Sequence, residues 1–236
     1  MKKKILAILL VVYSFSAYSY DDLYVKDAQL WFNLYIRVKL SDRWDFHFDQ
    51  QDRFTNNMSK FELAFADFGF TYHLNKKVKF LFDYNFIAKK NKGFLSERHQ
   101  FYTAICLKHE YRKWRFLYRN MFQYELIDPY TSKYGLTPLY YDRNKITIKY
   151  DFNKWFTFYV ADEIYLPLNN PKVIGFDKNR IFFGLFYNVN RRQMLELYFM
   201  NQQRLQFSEW PRYGGNMSSN QFLMDFIYGI GYCIEM

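Results

Sequence analysis

The sequence predicts an all-β protein: an antiparallel transmembrane β-barrel of twelve strands, with ten as the fallback, preceded by a signal peptide. Three observations predict it. Apolar and polar residues alternate over long segments, as in "ITIKYDFNKWFTFYV". Aromatic residues make up 23% of the chain, with 27 Phe and 23 Tyr, yet the mean hydropathy is only −0.38. The turns between segments alternate short and long. Together these suit a sheet whose outer phase meets lipid and whose inner phase is polar, a signal that is weak per strand and cumulative over many.

The elements follow in order. "MKKKILAILLVVYSFSAYSYDD" has a basic start, an apolar run from Ile5 to Tyr13 and small residues at Ala17 and Ser19. That is the pattern of a secretory signal peptide, and its apolar core is too short to span a bilayer. The expected organisation is therefore residues 1–19 as signal peptide and 20–236 as one outer-membrane barrel domain. No Cys follows the cleavage region, which argues against a lipid anchor. Losing Lys2, Lys3 and Lys4 leaves 30 basic against 23 acidic residues, so the processed chain stays basic.

The first strand runs near Ala28 to Leu40. Ala28, Leu30, Phe32, Leu34, Ile36 and Val38 share one face; Gln29, Trp31, Asn33, Tyr35, Arg37 and Lys39 share the other. After Ser41-Asp42-Arg43, the residues Trp44, Phe46 and Phe48 oppose Asp45, His47, Asp49, Gln51 and Arg53. The second hairpin pairs Phe61–Leu74 with Val78–Lys89. Its first strand mixes phases, with Phe61, Leu63 and Phe65 aligned with Asp67, Thr71 and His73, so a bulge is expected within it. The third hairpin pairs Arg98–Tyr111 with Trp114–Glu125, the fourth flanks Asn153-Lys154, and the fifth pairs Asn179–Val189 with Gln193–Gln203. A last strand spans Gln221–Glu235. "LIDPYTSKYGLTPLYYDR", "PLNNPKVIGFDK" and "RLQFSEWPRYGGNMSS" read as long loops. Five hairpins and a final strand give an odd number, whereas single-chain bacterial barrels are even; Tyr20–Lys26 or the loop after Glu125 is expected to supply a twelfth strand.

Trp44, Trp114 and Trp155 each directly follow a short turn, the place of an interfacial aromatic girdle. Segments of roughly 10–14 residues suit tilted transmembrane strands better than soluble ones, whose usual length is nearer 5–6. A soluble secreted β-sandwich that binds a ligand is the competing architecture, but so many Phe-rich faces would overfill its core.

"DAQLWFNLYIRVKLSDRWDFHFDQQDRF", "FYVADEIY" and "NRIFFGLFYNVNRRQMLELYFMNQ" resemble an uncharacterised bacterial family, the domain of unknown function 2490, over essentially the whole processed chain. The resemblance implies an outer-membrane barrel and no established activity, cofactor or catalytic residue. The chain ends in "GYCIEM", where outer-membrane barrels commonly end in Phe, so Tyr232 is the aromatic left for barrel-assembly machinery to read.

Candidate chemistry is sparse. His47, His73, His99 and His109 have no Ser adjacent or two positions on, so no acyl-transfer motif is present and no catalytic residue is assigned; a lipid-modifying enzyme is the alternative function. Asp162 and Glu163 are adjacent and point to opposite faces, with Glu163 on the inner phase. Cys106 and Cys233 lie mid-strand, and both a disulfide and two free thiols fit the sequence. No metal-ligand spacing such as CxxC occurs, and no cofactor is expected.

The cations carry more information. Arg37, Lys39, Arg53, Arg98, Lys108, Arg115, Arg119, Lys145, Lys149 and Arg180 fall mostly on the inner phase. Scattered along strands, they read poorly as a nucleic-acid surface. Arg37, Lys39, Arg115, Arg119, Lys149 and Glu163 are the candidate lumen-lining residues. The expected role is a small passive pore or structural scaffold in the bacterial outer membrane, in contact with outer-membrane lipid and lipopolysaccharide. Oligomeric state is not legible in the sequence.

Overall fold

A computed structural model describes residues 24–91, 94–128, 130, 132, 137–170, 175–206 and 221–236. The expected signal peptide lies outside them. Eleven strands are present among the described residues: β1 (Tyr24–Lys39), β2 (Trp44–Thr55), β3 (Lys60–His73), β4 (Val78–Lys90), β5 (Leu95–Tyr111), β6 (Trp114–Ile127), β7 (Leu139–Asp151), β8 (Phe156–Pro167), β9 (Lys178–Asn188), β10 (Gln193–Gln206) and β11 (Gln221–Glu235). They form one closed barrel in which each strand pairs with its neighbours in sequence. Closure removes the bare edges that an open sheet would present.

The count corrects the expectation of twelve or ten. Tyr24–Lys26 belongs to β1, and the stretch after Glu125 only lengthens β6 to Ile127, so neither supplies a twelfth strand. The barrel closes instead through a parallel pairing of β1 with β11, from Tyr24↔Leu223 to Arg37↔Glu235. A parallel seam is what an odd number of up-and-down strands requires. It also places the start of β1 and the end of β11 at opposite ends of the barrel. At the lower end of the seam Arg37 Nη1 meets Glu235 Oε1 at 2.9 Å.

The short turns share one local device. In four of them a side-chain oxygen accepts backbone N–H groups inside the turn: Ser41 from Arg43 and Trp44, Asn75 from Lys77 and Val78, Asn153 from Trp155 and Phe156, and Asn190 from Arg192. This is why Ser and Asn sit there. At the opposite end, Asn56, Asn57 and Met58 take positive φ, and the Asp27 carboxylate accepts the Asn56 and Asn57 N–H groups at 2.8 Å each.

The bulge expected in β3, whose position the sequence does not give, lies at Glu62. Arg53 pairs with Leu63 and Phe54 with Phe61, so Glu62 is skipped. Phe61 therefore faces outward against Phe54, while Leu63 and Phe65 face the lumen in phase with Asp67 and Thr71. The loop expected over residues 126–143 is shorter, because Leu139–Arg143 continues β7.

Outside, the apolar phase is exposed all round: Phe70, Phe82, Phe158, Phe183 and Tyr228 are among many such residues. Trp44, Trp114 and Trp155 are exposed at the short-turn end, where Trp44 packs on Tyr72 and Trp114 on Tyr150. Inside, buried apolar residues form two patches. Trp31, Tyr159, Ala161, Phe182, Met200 and Ile227 pack together from β1 and β8–β11; Ile127, Leu139, Tyr141 and Tyr165 pack nearer the long-loop end. Lumen glycines make space for rings: a Cβ on Gly184 would fall 2.2 Å from the Tyr159 ring, and one on Gly229 1.9 Å from the Tyr198 ring.

Candidate functional site

The lumen encloses a cavity of about 780 Å³. Nine basic and seven acidic side chains line it, so its charge is mixed with a cationic excess.

Its most buried charge is Glu163 on β8, which is 2% exposed. Strand alternation aims it inward, while neighbouring Asp162 points outward and accepts a hydrogen bond from Asn179 Nδ2 at 2.6 Å. Three arginines converge on Glu163: Arg119 of β6 at 2.6 Å, Arg143 of β7 at 2.8 Å and Arg180 of β9 at 3.8 Å. Arg180 also donates to the Tyr165 hydroxyl and to Gln202, at 2.6 and 2.7 Å. One buried carboxylate thus holds three guanidinium groups from three strands, which leaves net positive charge at the hub.

A second set of cations rests on aromatic faces. Lys145 Nζ lies 4.1 Å from the Phe182 ring centre, Lys149 Nζ 4.2 Å from Phe186 and Lys178 Nζ 4.2 Å from Tyr165. The Arg53 guanidinium sits 3.7 Å over Trp31. Among the described residues none of these four has a carboxylate within 4.0 Å. A ring face orients a cation without neutralising it. Lys145, Lys149 and Lys178 thus place positive charge on β7 and β9, and Arg53 on β2, whereas β2, β3 and β4 also carry Asp49, Asp67 and Asp83.

The six residues expected from sequence fall in different places. Arg119 and Glu163 line the cavity and form its hub. Arg115 lies closer to the short-turn end, paired with Asp151 at 2.5 Å, and Lys149 is its direct cross-strand partner on β7. Arg37 is at the seam with Glu235, and Lys39 pairs with Asp42 at 2.8 Å in the exposed turn, at the rim. Arg143 was missed because "LYYDR" interrupts the alternation and reads as loop. The ring faces under Lys145 and Lys178 were missed because they belong to other strands.

The histidines have partners of several kinds. His73 Nε2 meets Asp45 Oδ2 and Tyr84 Oη meets His99 Nδ1, both at 2.8 Å, and His109 packs on Phe116. His47 faces Asp67 and Asp83, a grouping on three strands that local spacing cannot reveal. Cys106 and Cys233 are both free.

A family model described as "Protein of unknown function (DUF2490)" matches residues 28–212. No curated protein matches the chain. Among solved structures, the NanC porin in a rhombohedral crystal form superposes with a TM-score of 0.54 at 13% sequence identity, over 89% of this chain and 99% of that one. At that identity the likeness shows the fold, a porin-like barrel.

Proposed function

The chain belongs to the DUF2490 family, which carries no assigned activity, and from the barrel itself we propose a small passive pore in the bacterial outer membrane with a weak preference for anions. The observation that carries this reading is the set of cations held on ring faces along the cavity, Lys145, Lys178 and Arg53, none of which has a carboxylate within 4.0 Å among the described residues. Fixed charge of one sign along a narrow lumen raises the local concentration of the opposite ion.

The exposed apolar phase and the Trp-bearing rim support placement in a bilayer. In this reading residues 1–19 direct export, the barrel-assembly machinery inserts the chain, and outer-membrane lipid and lipopolysaccharide cover its outside. Short turns then face the periplasm.

Planar-bilayer recording of the purified protein tests the proposal. In a salt gradient the reversal potential is expected to show modest anion preference, and Lys145→Glu with Lys178→Glu is expected to move it towards cations. Cation selectivity in the unaltered protein, or silence over many insertions, would refute an anion-preferring pore; silence would favour a closed scaffold.

A further inference from the structure

The acidic wall of the lumen holds a group that conduction does not use. His47 of β2, Asp67 of β3 and Asp83 of β4 each offer a ligand atom, and these atoms lie within 4.8 Å of one another. His47 Nε2 is 2.6 Å from Asp83 Oδ1 and 4.0 Å from Asp67 Oδ1, and the three side chains are only 7%, 4% and 1% exposed. Gly69 makes the arrangement possible. The register places it between His47 and Asp83 on the two flanking strands. A Cβ there would fall 1.6 Å from Asp83 Oδ1 and 2.5 Å from His47 Nε2, so both side chains lean into the space that glycine leaves.

What this group lacks is hydrogen-bond donors. Among the described residues, Asp67 Oδ1, both carboxylate oxygens of Asp83, and the adjacent Asp49 Oδ1 and Asn85 Oδ1 are buried without a hydrogen-bond partner. The close approach of His47 to Asp83 lacks hydrogen-bond geometry and leaves that carboxylate unsatisfied; His47 Nδ1 is also without a partner. The ring of Tyr35 stacks on His47 with centroids 5.8 Å apart and supplies no donor there. Buried carboxylates without donors are costly, and two side by side repel each other. A divalent cation removes both penalties, since two carboxylates balance its charge.

We propose that His47, Asp67 and Asp83 bind a first-row divalent transition cation, best suited to Zn²⁺, which staples β2, β3 and β4 together. An imidazole nitrogen with two carboxylate oxygens suits Zn²⁺, whose tetrahedral ligands at roughly 2.0–2.2 Å stand about 3.4 Å apart. The present separations of 2.6 and 4.0 Å bracket that spacing. Ca²⁺ wants about 6–8 oxygens, more than this group offers. Three protein ligands leave a fourth position for water. Asp49 and Asp67 also line the cavity, so the cation has a path from the lumen.

The full-length barrel, purified in detergent, stripped with EDTA and re-equilibrated with Zn²⁺ alone, is expected to retain one Zn²⁺ per chain and to unfold at a higher temperature than the stripped protein. Asp67→Asn and Asp83→Asn are expected to weaken binding by about tenfold or more and to abolish the thermal shift, with folding checked by heat-dependent gel mobility. His73→Ala, at the separate His73–Asp45 pair, is expected to change neither. Co²⁺ in place of Zn²⁺ is expected to give the intense visible bands of a four-coordinate site, a readout that needs no variant. A folded wild-type barrel without stoichiometric Zn²⁺, unaltered binding in both carboxamide variants, the weak spectrum of six-coordinate Co²⁺, or uptake of Ca²⁺ in preference to Zn²⁺ would each overturn the proposal.

Discussion

Glu163 shows how one residue's phase can be legible while its environment is not. Alternation within "FYVADEIY" places it on the inner face. Nothing local announces that Arg119, Arg143 and Arg180 meet there, because they sit on three other strands and only the register brings them into contact. Glu163→Gln keeps the shape and removes the only carboxylate that these arginines share among the described residues. Leaving buried cations uncompensated is expected to cost about 3–5 kcal/mol of stability, read from urea unfolding in lipid vesicles. Glu163→Gln combined with Arg143→Met is expected to recover part of that loss, since it removes the charge along with its partner. A loss below about 1 kcal/mol would mean that water in the cavity screens the hub.

At the scale of strands, the pleat separates two kinds of position. Phe158 is exposed on the outer phase, as is its cross-strand partner Tyr150 in part, whereas Lys149 faces inward over Phe186. Phe158→Arg or Ile148→Arg is expected to destabilise the inserted barrel by roughly 2–4 kcal/mol near mid-bilayer, whereas Lys149→Ala is expected to be mild. Equal damage from both classes, measured by the same unfolding, would contradict the assignment of faces. Glycines obey the same geometry. Gly229→Val must push the Tyr198 ring from its seat and is expected to cost about 1–3 kcal/mol, which Tyr198→Ala in the same chain should relieve. β11, with unbroken alternation, was legible in full, and β1 was legible from Ala28 onward; its first residues were not, because the register shifts between Val25 and Asp27. β3 was not, because one skipped residue at Glu62 inverts the phase of everything before it, and a bulge leaves no mark in composition.

For the molecule as a whole, the class of fold was readable and the closure was not. Outer-phase Phe and Tyr and inner-phase charge recur from hairpin to hairpin, and Ser or Asn caps four of the short turns, so their sum points to a barrel. Strand number, by contrast, depends on how β1 meets β11, a contact between the two ends of the chain that leaves no periodic signal. With short turns in the periplasm, the Asn56–Met58 turn and the start of β1 lie on the external side together, as Asp27 bonding to Asn56 and Asn57 requires. An epitope inserted at Asn57 is expected to be labelled on intact cells, and one at Lys154 only after the outer membrane is opened; the reverse pattern would invert the barrel. The parallel seam bears on a different matter, the fate of incomplete chains. Leu30 finds Tyr228, and Asn33 finds Gly231, only when the last strand has been made. A chain stopped before Gln221 would expose β1 and β10 as two bare edges, each a template for any other strand at hand. Such fragments are expected to cross-link into mixed multimers, so the final fifteen-residue strand is what keeps each molecule from recruiting its neighbours.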